Sequence, residues 1–395
     1  MAVYVGPSGY AVIGQLQNVI GIISNLSGGL LLSGITKMTA QHFDEIEKQK
    51  VVWITAVRYS SSVAILFAVL ILLFGSKLSA WLFRGLEIGN IYVWLALALP
   101  AIVLNNLLLA VINGKKEIGV YVVANILGSM LSLMVAAVLV TYYGLYGALV
   151  ACIINPAIAL LSTLLLIRGR TWFKFSSFVG SVNTITIKEL AGFGFMGLVS
   201  ALTGPIASIV VRDHLIDSFG IVDAGYWQAT TKISDNYLML IVSTLSVYYL
   251  PRISEIRKAN ELRAEIIKVY SLVMPIAIIG ALVIYLLRDS IIHILFASDF
   301  IAMEMLMPWQ LIGDVIKIGA WVLSFALAGR AMIKPFVITE VCFSATYVLL
   351  TIMLTKFFGI TGVVMAYAGN YLAYLICMGY FINKELARMK KMEPL

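Results

Sequence analysis

The chain alternates between long apolar segments and short polar connections. Eleven of the apolar segments reach the roughly 20 residues that an α-helix needs to cross a bilayer. Because lipid offers no partner to backbone N–H and C=O groups, we expect each of them to be helical. The predicted spans are 8–36, 52–75, 90–113, 118–141, 145–167, 188–212, 225–250, 266–287, 303–328, 335–355 and 360–383. The pattern therefore predicts an all-α polytopic membrane protein with 11 spans.

The composition agrees with this pattern and narrows the class of function. Of the 395 residues, 61% are hydrophobic and 12% are charged, against about 25% charged in soluble domains. The longest connection, 168–187, is too short for a folded catalytic domain. The three cysteines lie inside apolar spans and the three histidines are scattered. We therefore expect no disulfide, no metal site and no cofactor.

The basic residues predict how the chain is oriented in the membrane. Twenty of the 28 Lys and Arg residues fall in one set of connections and in the C-terminal segment, and five fall in the opposite set. Since cytoplasmic loops are enriched in Lys and Arg, we expect the C-terminus and the connections 37–51, 168–187 and 251–265 to face the cytoplasm. The net charge of +8 reflects this asymmetry and gives no reason to invoke nucleic acid.

An internal repeat relates the two halves of the chain at an offset of 215 residues. Both halves have the same predicted orientation, which indicates a parallel repeat of two lobes, 1–170 and 171–395. The first lobe then holds five spans and the second six, so we expect a first helix of about 25 residues to be missing from this sequence. The matched positions are Gly114 and Gly329, Ser129 and Ser344, Gly144 and Gly359, Gly147 and Gly362, and Ala151 and Ala366.

Charged residues inside the spans are candidates for function, because each costs at least about 2.5–3.5 kcal/mol near the bilayer centre. Asp314 and Lys317 lie near the middle of one span and are three residues apart, so they share a helix face. Lys232 and Asp235 have the same spacing in another span. Each pair is either a self-neutralising pair buried for packing or part of a polar site in a transporter.

Polar and aromatic neighbours extend this set of candidates. A Trp-Gln pair precedes each charged pair, although an interfacial aromatic belt explains the tryptophans equally well. Two further cations are Arg58, inside the second span, and Arg212, at the outer end of the sixth. The Trp-Gln pairs are Trp227 with Gln228 and Trp309 with Gln310.

Four motifs of the sequence are specific enough to suggest a family. They are Trp309-Gln310-Leu311-x-Gly313-Asp314-x-x-Lys317-x-Gly319-Ala320, Trp227-Gln228 with Ser234-Asp235, Ser246-Val247-Tyr248-x-Leu250-Pro251, and Gly6-Pro7-x-Gly9. These motifs resemble those of Wzx-type polysaccharide flippases of the MOP superfamily. The resemblance covers essentially the whole chain and implies two lobes of six helices around a central cavity, working by alternating access. It also implies twelve helices, which agrees with the helix missing from the repeat. Lys232 departs from the family pattern, where a small polar residue is usual.

The resemblance also implies a substrate. This would be a short oligosaccharide on undecaprenyl pyrophosphate, moved from the cytoplasmic to the periplasmic leaflet of the bacterial inner membrane. The process served would be enterobacterial common antigen or O-antigen assembly, with other polysaccharide-assembly proteins as further partners. Cationic side chains would meet the pyrophosphate, and Trp and Gln side chains would meet the sugars. The implied set is Arg58, Arg212, Lys232 and Lys317, then Trp227, Gln228, Trp309 and Gln310, with Asp235 and Asp314 in the same site.

Two other classes of protein stay open at this point. A MATE-like drug or cation exporter shares the fold, and the charges inside the spans do not discriminate. Away from the ends of the spans, three basic residues face three acidic ones, Asp235, Asp314 and Glu340. An integral-membrane polysaccharide enzyme would need a carboxylate or metal cluster near a leaflet, and the sequence shows no such cluster.

Overall fold

The computed structural model describes residues 2–83, 89–180, 183–249, 252–253, 256–296, 298–330 and 332–392. Within those ranges the chain forms twelve α-helices and no β-strand, which confirms the all-α prediction. Leu250 and Pro251 of one family-like motif lie outside the described residues. The helices are α1 (Ala2–Ser27), α2 (Leu32–Gln41), α3 (Ile46–Phe83), α4 (Ile91–Gly114), α5 (Ile118–Ile167), α6 (Thr184–Phe219), α7 (Ile221–Thr244), α8 (Ala259–Leu286), α9 (Arg288–Leu295), α10 (Met307–Gly329), α11 (Ile333–Phe358) and α12 (Thr361–Met392).

The predicted spans overlap these helices, with two differences in how they are divided. Span 8–36 falls on α1 and α2, which are bent by 57° across the turn between them. Spans 118–141 and 145–167 both fall within α5, whose 50 residues at about 1.5 Å each exceed twice the ~30 Å thickness of a bilayer core. Among the described residues, 7 helices are long and apolar enough to cross a membrane, or up to 8 if the bent pair is one span. The count of 11 spans, which treats α5 as two, stays a prediction.

A glycine break divides α5, and the same break recurs between α11 and α12. Gly144 has a φ of 54° and Gly359 a φ of 60°, a left-handed conformation that glycine adopts without steric cost. Three residues later, a Cβ on Gly147 or Gly362 would overlap the backbone of the preceding helical segment. The chain therefore turns back tightly on itself at both places, at the 215-residue offset of the sequence repeat.

The chain divides into two compact units. Unit 1 consists of Val12–Pro205 with Val3–Val5, and unit 2 consists of Ile206–Leu395 with Gly6–Ala11. The lobe boundary at 170/171, which the repeat indicates, stays a prediction.

One helix is central in each unit. In unit 1, α4 packs against α2, α3 and α5. In unit 2, α10 packs against α7, α8 and α12. Gly313 permits the close approach of α10 to α12, because a Cβ at this position would lie 3.2 Å from Ala368 Cα and would overlap the ring of Tyr367.

Candidate functional site

The buried carboxylate of Asp314 is the centre of a polar cluster in unit 2. Asp314 lies on α10 and is 0% exposed. Tyr237 of α7 donates to Oδ2 across 2.7 Å, and Tyr367 of α12 donates to Oδ1 across 2.8 Å. Gln310, one turn earlier on α10, donates to Oδ1 across 3.3 Å. Ser234 of α7 is a further hydrogen-bond partner of Asp314. Donors from three helices thus satisfy a charge whose burial would otherwise be costly.

The ammonium of Lys317 lies among aromatic rings. Its Nζ is 4.7 Å from the ring centroid of Trp321, 5.2 Å from that of Tyr367 and 5.1 Å from that of Tyr371. These distances are typical of cation–π contacts, which are worth about 0.5–1 kcal/mol at exposed sites and about 2 kcal/mol when desolvated. Within the described residues, no carboxylate oxygen lies within the 4.0 Å ion-pair distance of this Nζ. Asp314 and Lys317 therefore share a helix face but do not form a contact ion pair.

Three carboxylates attract Lys317 electrostatically from a distance. They are Asp235, Asp314 and Glu340. The Tyr374 hydroxyl lies 3.1 Å from Glu340 Oε1, and Asp235 is exposed.

Three tyrosines of α12 complete the cluster. None of them is among the site residues predicted from the sequence. Tyr367, Tyr371 and Tyr374 follow one another at spacings of four and three residues, so they share one face of α12. Tyr367 and Tyr371 have ring centroids 4.9 Å apart at an interplanar angle of 69°. This helical stripe in an otherwise apolar span was the signal available in the sequence.

A second cluster in unit 2 contains Arg212, Trp227 and Gln228. The Arg212 side chain is 1% exposed, and its Nη2 donates to Gln228 Oε1. Its guanidinium carbon lies 5.4 Å from the ring centroid of Trp227, which is 3% exposed. The three residues predicted from the sequence are thus brought together, in a closely packed environment rather than at a surface.

The remaining candidates are placed separately. Trp309 is 41% exposed near the start of α10, whereas its neighbour Gln310 is buried against Asp314. Lys232 is half-buried on α7. Arg58 is exposed on α3 and belongs to unit 1. The structure therefore brings Gln310, Asp314 and Lys317 together with the tyrosines. The roles of all the candidates in substrate binding stay predictions.

Relatives of known description match nearly the whole chain. The chain is 28% identical over 383 residues to the lipid III flippases of Escherichia coli (strain K12) and Shigella flexneri, covering 97% of this chain and 92% of each relative. It is 24% identical over 290 residues to a protein assigned as an O-antigen transporter in Shigella flexneri, covering 70% of this chain and 67% of that protein. No family model matches the chain. The resemblance to polysaccharide flippases that the motifs indicated is confirmed by this similarity.

Solved structures of MOP-superfamily transporters have the same fold. An inward-facing MATE family multidrug resistance transporter matches with a TM-score of 0.85 at 15% identity, covering 98% of this chain and 93% of that one. A MOP superfamily transporter from Pyrococcus furiosus matches with a TM-score of 0.70 at 17% identity, covering 98% and 89%. The MOP-type transporter fold predicted from the sequence is confirmed. At these identities the likeness concerns the fold alone.

Proposed function

We propose that the chain is a flippase that moves an oligosaccharide linked to undecaprenyl pyrophosphate across the bacterial inner membrane. The observation that carries this proposal is the 28% identity to two lipid III flippases over 97% of the chain. The MOP-type fold is compatible with it, because a transporter fold provides a pathway and does not require a catalytic centre. The chain is therefore proposed to be a transporter and not an enzyme.

Lys317 is the proposed contact for the pyrophosphate. Its ammonium is held by ring faces of Trp321, Tyr367 and Tyr371, which leave its positive charge uncompensated by any direct ion pair among the described residues. An ammonium meets phosphate oxygens through short charge-assisted hydrogen bonds. Asp314 is satisfied by Tyr237, Tyr367 and Gln310, so it does not need Lys317 as a direct partner.

The surrounding carboxylates compete with a bound anion for the positive charge of Lys317. Asp235, Asp314 and Glu340 all attract Lys317, and each would repel a pyrophosphate. Binding at Lys317 therefore exchanges attraction to the carboxylates for contact with the ligand. A site in which the ligand competes with internal charges releases the ligand more readily than one of unopposed cations, as transport requires.

The sugars are proposed to meet exposed polar and aromatic side chains. Trp309 suits stacking because it is 41% exposed, while the burial of Trp227 against Arg212 favours a packing role for that residue. The enterobacterial common antigen or O-antigen pathway is proposed from the relatives, and other proteins of polysaccharide assembly are proposed as partners. The direction, from the cytoplasmic to the periplasmic leaflet, is proposed from the family resemblance, and the cytoplasmic C-terminus is proposed from the basic-residue asymmetry.

A MATE-like cation exporter is the second candidate. The shared fold and the three carboxylates near one lysine favour it. The flippase is preferred because the sequence relatives that cover nearly the whole chain are flippases.

Complementation tests the proposal. The chain is expressed in a bacterial strain that lacks its lipid III flippase, and surface glycan is measured together with the membrane abundance of the protein. The proposal expects surface glycan to return. Normal abundance without glycan, in a strain that gains resistance to cationic drugs, would favour the exporter instead.

A further inference from the structure

The connection between α5 and α6 joins two predicted spans, 145–167 and 188–212, so we expect both of its ends to lie at the same face of the membrane. Its residues 168–180 are described and belong to unit 1. This segment contains three basic residues and no acidic one, so it places uncompensated positive charge beside the membrane. The basic residues are Arg168, Arg170 and Lys174.

Aromatic packing fixes the inner side of segment 168–180 on unit 1. The ring nitrogen of Trp172 donates to Glu117 Oε1 across 2.7 Å, and this tryptophan is 7% exposed. Phe178 stacks on Trp53 of α3, with ring centroids 5.5 Å apart and an interplanar angle of 17°. A single 3₁₀ turn, Phe175–Phe178, orders the residues that lead to this stack. The segment is therefore held on the protein by its aromatic side chains without being a membrane span.

The remaining side chains of the segment combine apolar and basic character. Phe175 is 78% exposed and Val179 is 72% exposed. Arg168 and Lys174 are exposed, and no carboxylate oxygen of the described residues lies within the 4.0 Å ion-pair distance of either. Arg170 is exposed as well and takes part in an ion pair. Exposed apolar and cationic side chains in one stretch are typical of segments that lie in the headgroup region of a bilayer.

We infer that segment 168–180 docks on anionic phospholipid headgroups at the membrane surface. Basic residues without acidic neighbours are attracted to a negatively charged leaflet over about one Debye length. A protein partner is disfavoured, because an aromatic residue buries only about 150–250 Å² and a stable protein interface needs about 800 Å² on each partner. Docking on lipid anchors this end of unit 1 at one leaflet.

Quenching of a fluorophore by lipid tests the inference. In full-length protein whose three native cysteines are replaced by alanine, Val179→Cys carries the dye NBD. The liposomes contain a phospholipid with a nitroxide on its acyl chain, in either phosphatidylcholine alone or phosphatidylcholine mixed with phosphatidylglycerol. The matched dye position is Asp44→Cys, which is exposed in unit 1 close to Glu45 and Glu47, where an anionic surface should be repelled.

The inference expects strong quenching at Val179→Cys with phosphatidylglycerol and weak quenching without it. The difference should disappear in about 1 M salt, where the Debye length is about 3 Å. Lys174→Gln should lower the ratio of docked to undocked protein about fivefold, which corresponds to ~1 kcal/mol for one basic residue near an anionic surface. Lys48→Gln removes an exposed cation that already pairs with Glu45, so it serves as the control and should leave the ratio unchanged.

Equal quenching in the two kinds of liposome would overturn the inference, as would quenching at Val179→Cys no stronger than at Asp44→Cys. An unchanged ratio in Lys174→Gln would also contradict it, because the basic side chains would then play no part in docking. The liposomes contain no lipid-linked oligosaccharide and the assay requires no transport, so its outcome is independent of the complementation result.

Discussion

The Tyr367 hydroxyl donates a hydrogen bond to Asp314 Oδ1 across 2.8 Å. The ring of the same tyrosine lies 5.2 Å from Lys317 Nζ. One side chain of α12 thus contacts both charged residues of α10, the carboxylate through its hydroxyl and the ammonium through its ring. Displacement of Tyr367 would therefore disturb both charges at once. Because the two contacts use different parts of the side chain, a substitution that removes only the hydroxyl separates them.

Tyr367→Phe should remove the hydrogen bond to Asp314 and keep the ring beside Lys317. Loss of a donor to a buried carboxylate is expected to lower the free energy of unfolding by about 1–3 kcal/mol. Thermal unfolding of the purified protein measures this, with Tyr380→Phe as the control, because Tyr380 is on the same helix and 63% exposed. Equal stability of the two variants would show that the hydrogen bond contributes nothing.

Gly313→Ala should separate α10 from α12. The added Cβ would overlap the Tyr367 ring and lie 3.2 Å from Ala368 Cα, so a destabilisation of about 1–3 kcal/mol is expected from overpacking. Gly379→Ala is the matched control, since a Cβ there meets no atom within 4 Å. A loss of stability in Gly313→Ala no greater than in the control would contradict the close approach.

Asp235→Asn should strengthen the binding of an anion at Lys317. Asp235 is exposed, so its replacement is not expected to affect folding, and it removes one charge that competes with a diphosphate. A tightening of roughly two- to fivefold is expected for a partly solvated charge, measured by titration of the purified protein with a short-chain polyprenyl diphosphate. Asp44→Asn, at an exposed position in unit 1, serves as control. Weaker binding in Asp235→Asn would favour a cation site instead.

The orientation in the membrane is tested by cysteine labelling. In protein without native cysteines, Lys258→Cys should react only with reagents that cross the inner membrane, and Asp217→Cys should react from the periplasm. Both positions are exposed, so access depends on the side of the membrane. The reverse pattern would overturn the assignment based on basic residues.

The sequence predicted the fold and the centre of the candidate site, because both depend on strong local signals. Apolar length predicted the helices, and charges in the middle of a span identified Asp314 and Lys317. The partners of those charges could not be predicted in the same way. Tyrosine is compatible with an apolar span, and only the packing of α7 and α12 against α10 brings Tyr237 and Tyr367 to Asp314.

The exposure of individual side chains could not be predicted from the sequence either. Trp227 and Trp309 occupy similar Trp-Gln motifs, yet the first is 3% exposed and the second 41% exposed. Trp227 packs beside Arg212 and within a buried apolar cluster, whereas Trp309 lies near the exposed start of α10. The shared motif therefore does not determine burial, which depends on tertiary packing.

Translocation by the purified protein tests the central claim most directly. The protein is reconstituted into liposomes that carry a fluorescent undecaprenyl-diphosphate oligosaccharide, and transfer between leaflets is followed with a membrane-impermeant quencher. The double variant Asp314→Asn with Lys317→Gln removes both charges, which avoids leaving one buried charge alone. We predict leaflet transfer by the unmodified chain and its loss in the double variant, reconstituted as folded protein at the same protein-to-lipid ratio. Absence of transfer by the unmodified, folded chain, or full transfer by the double variant, would contradict the account.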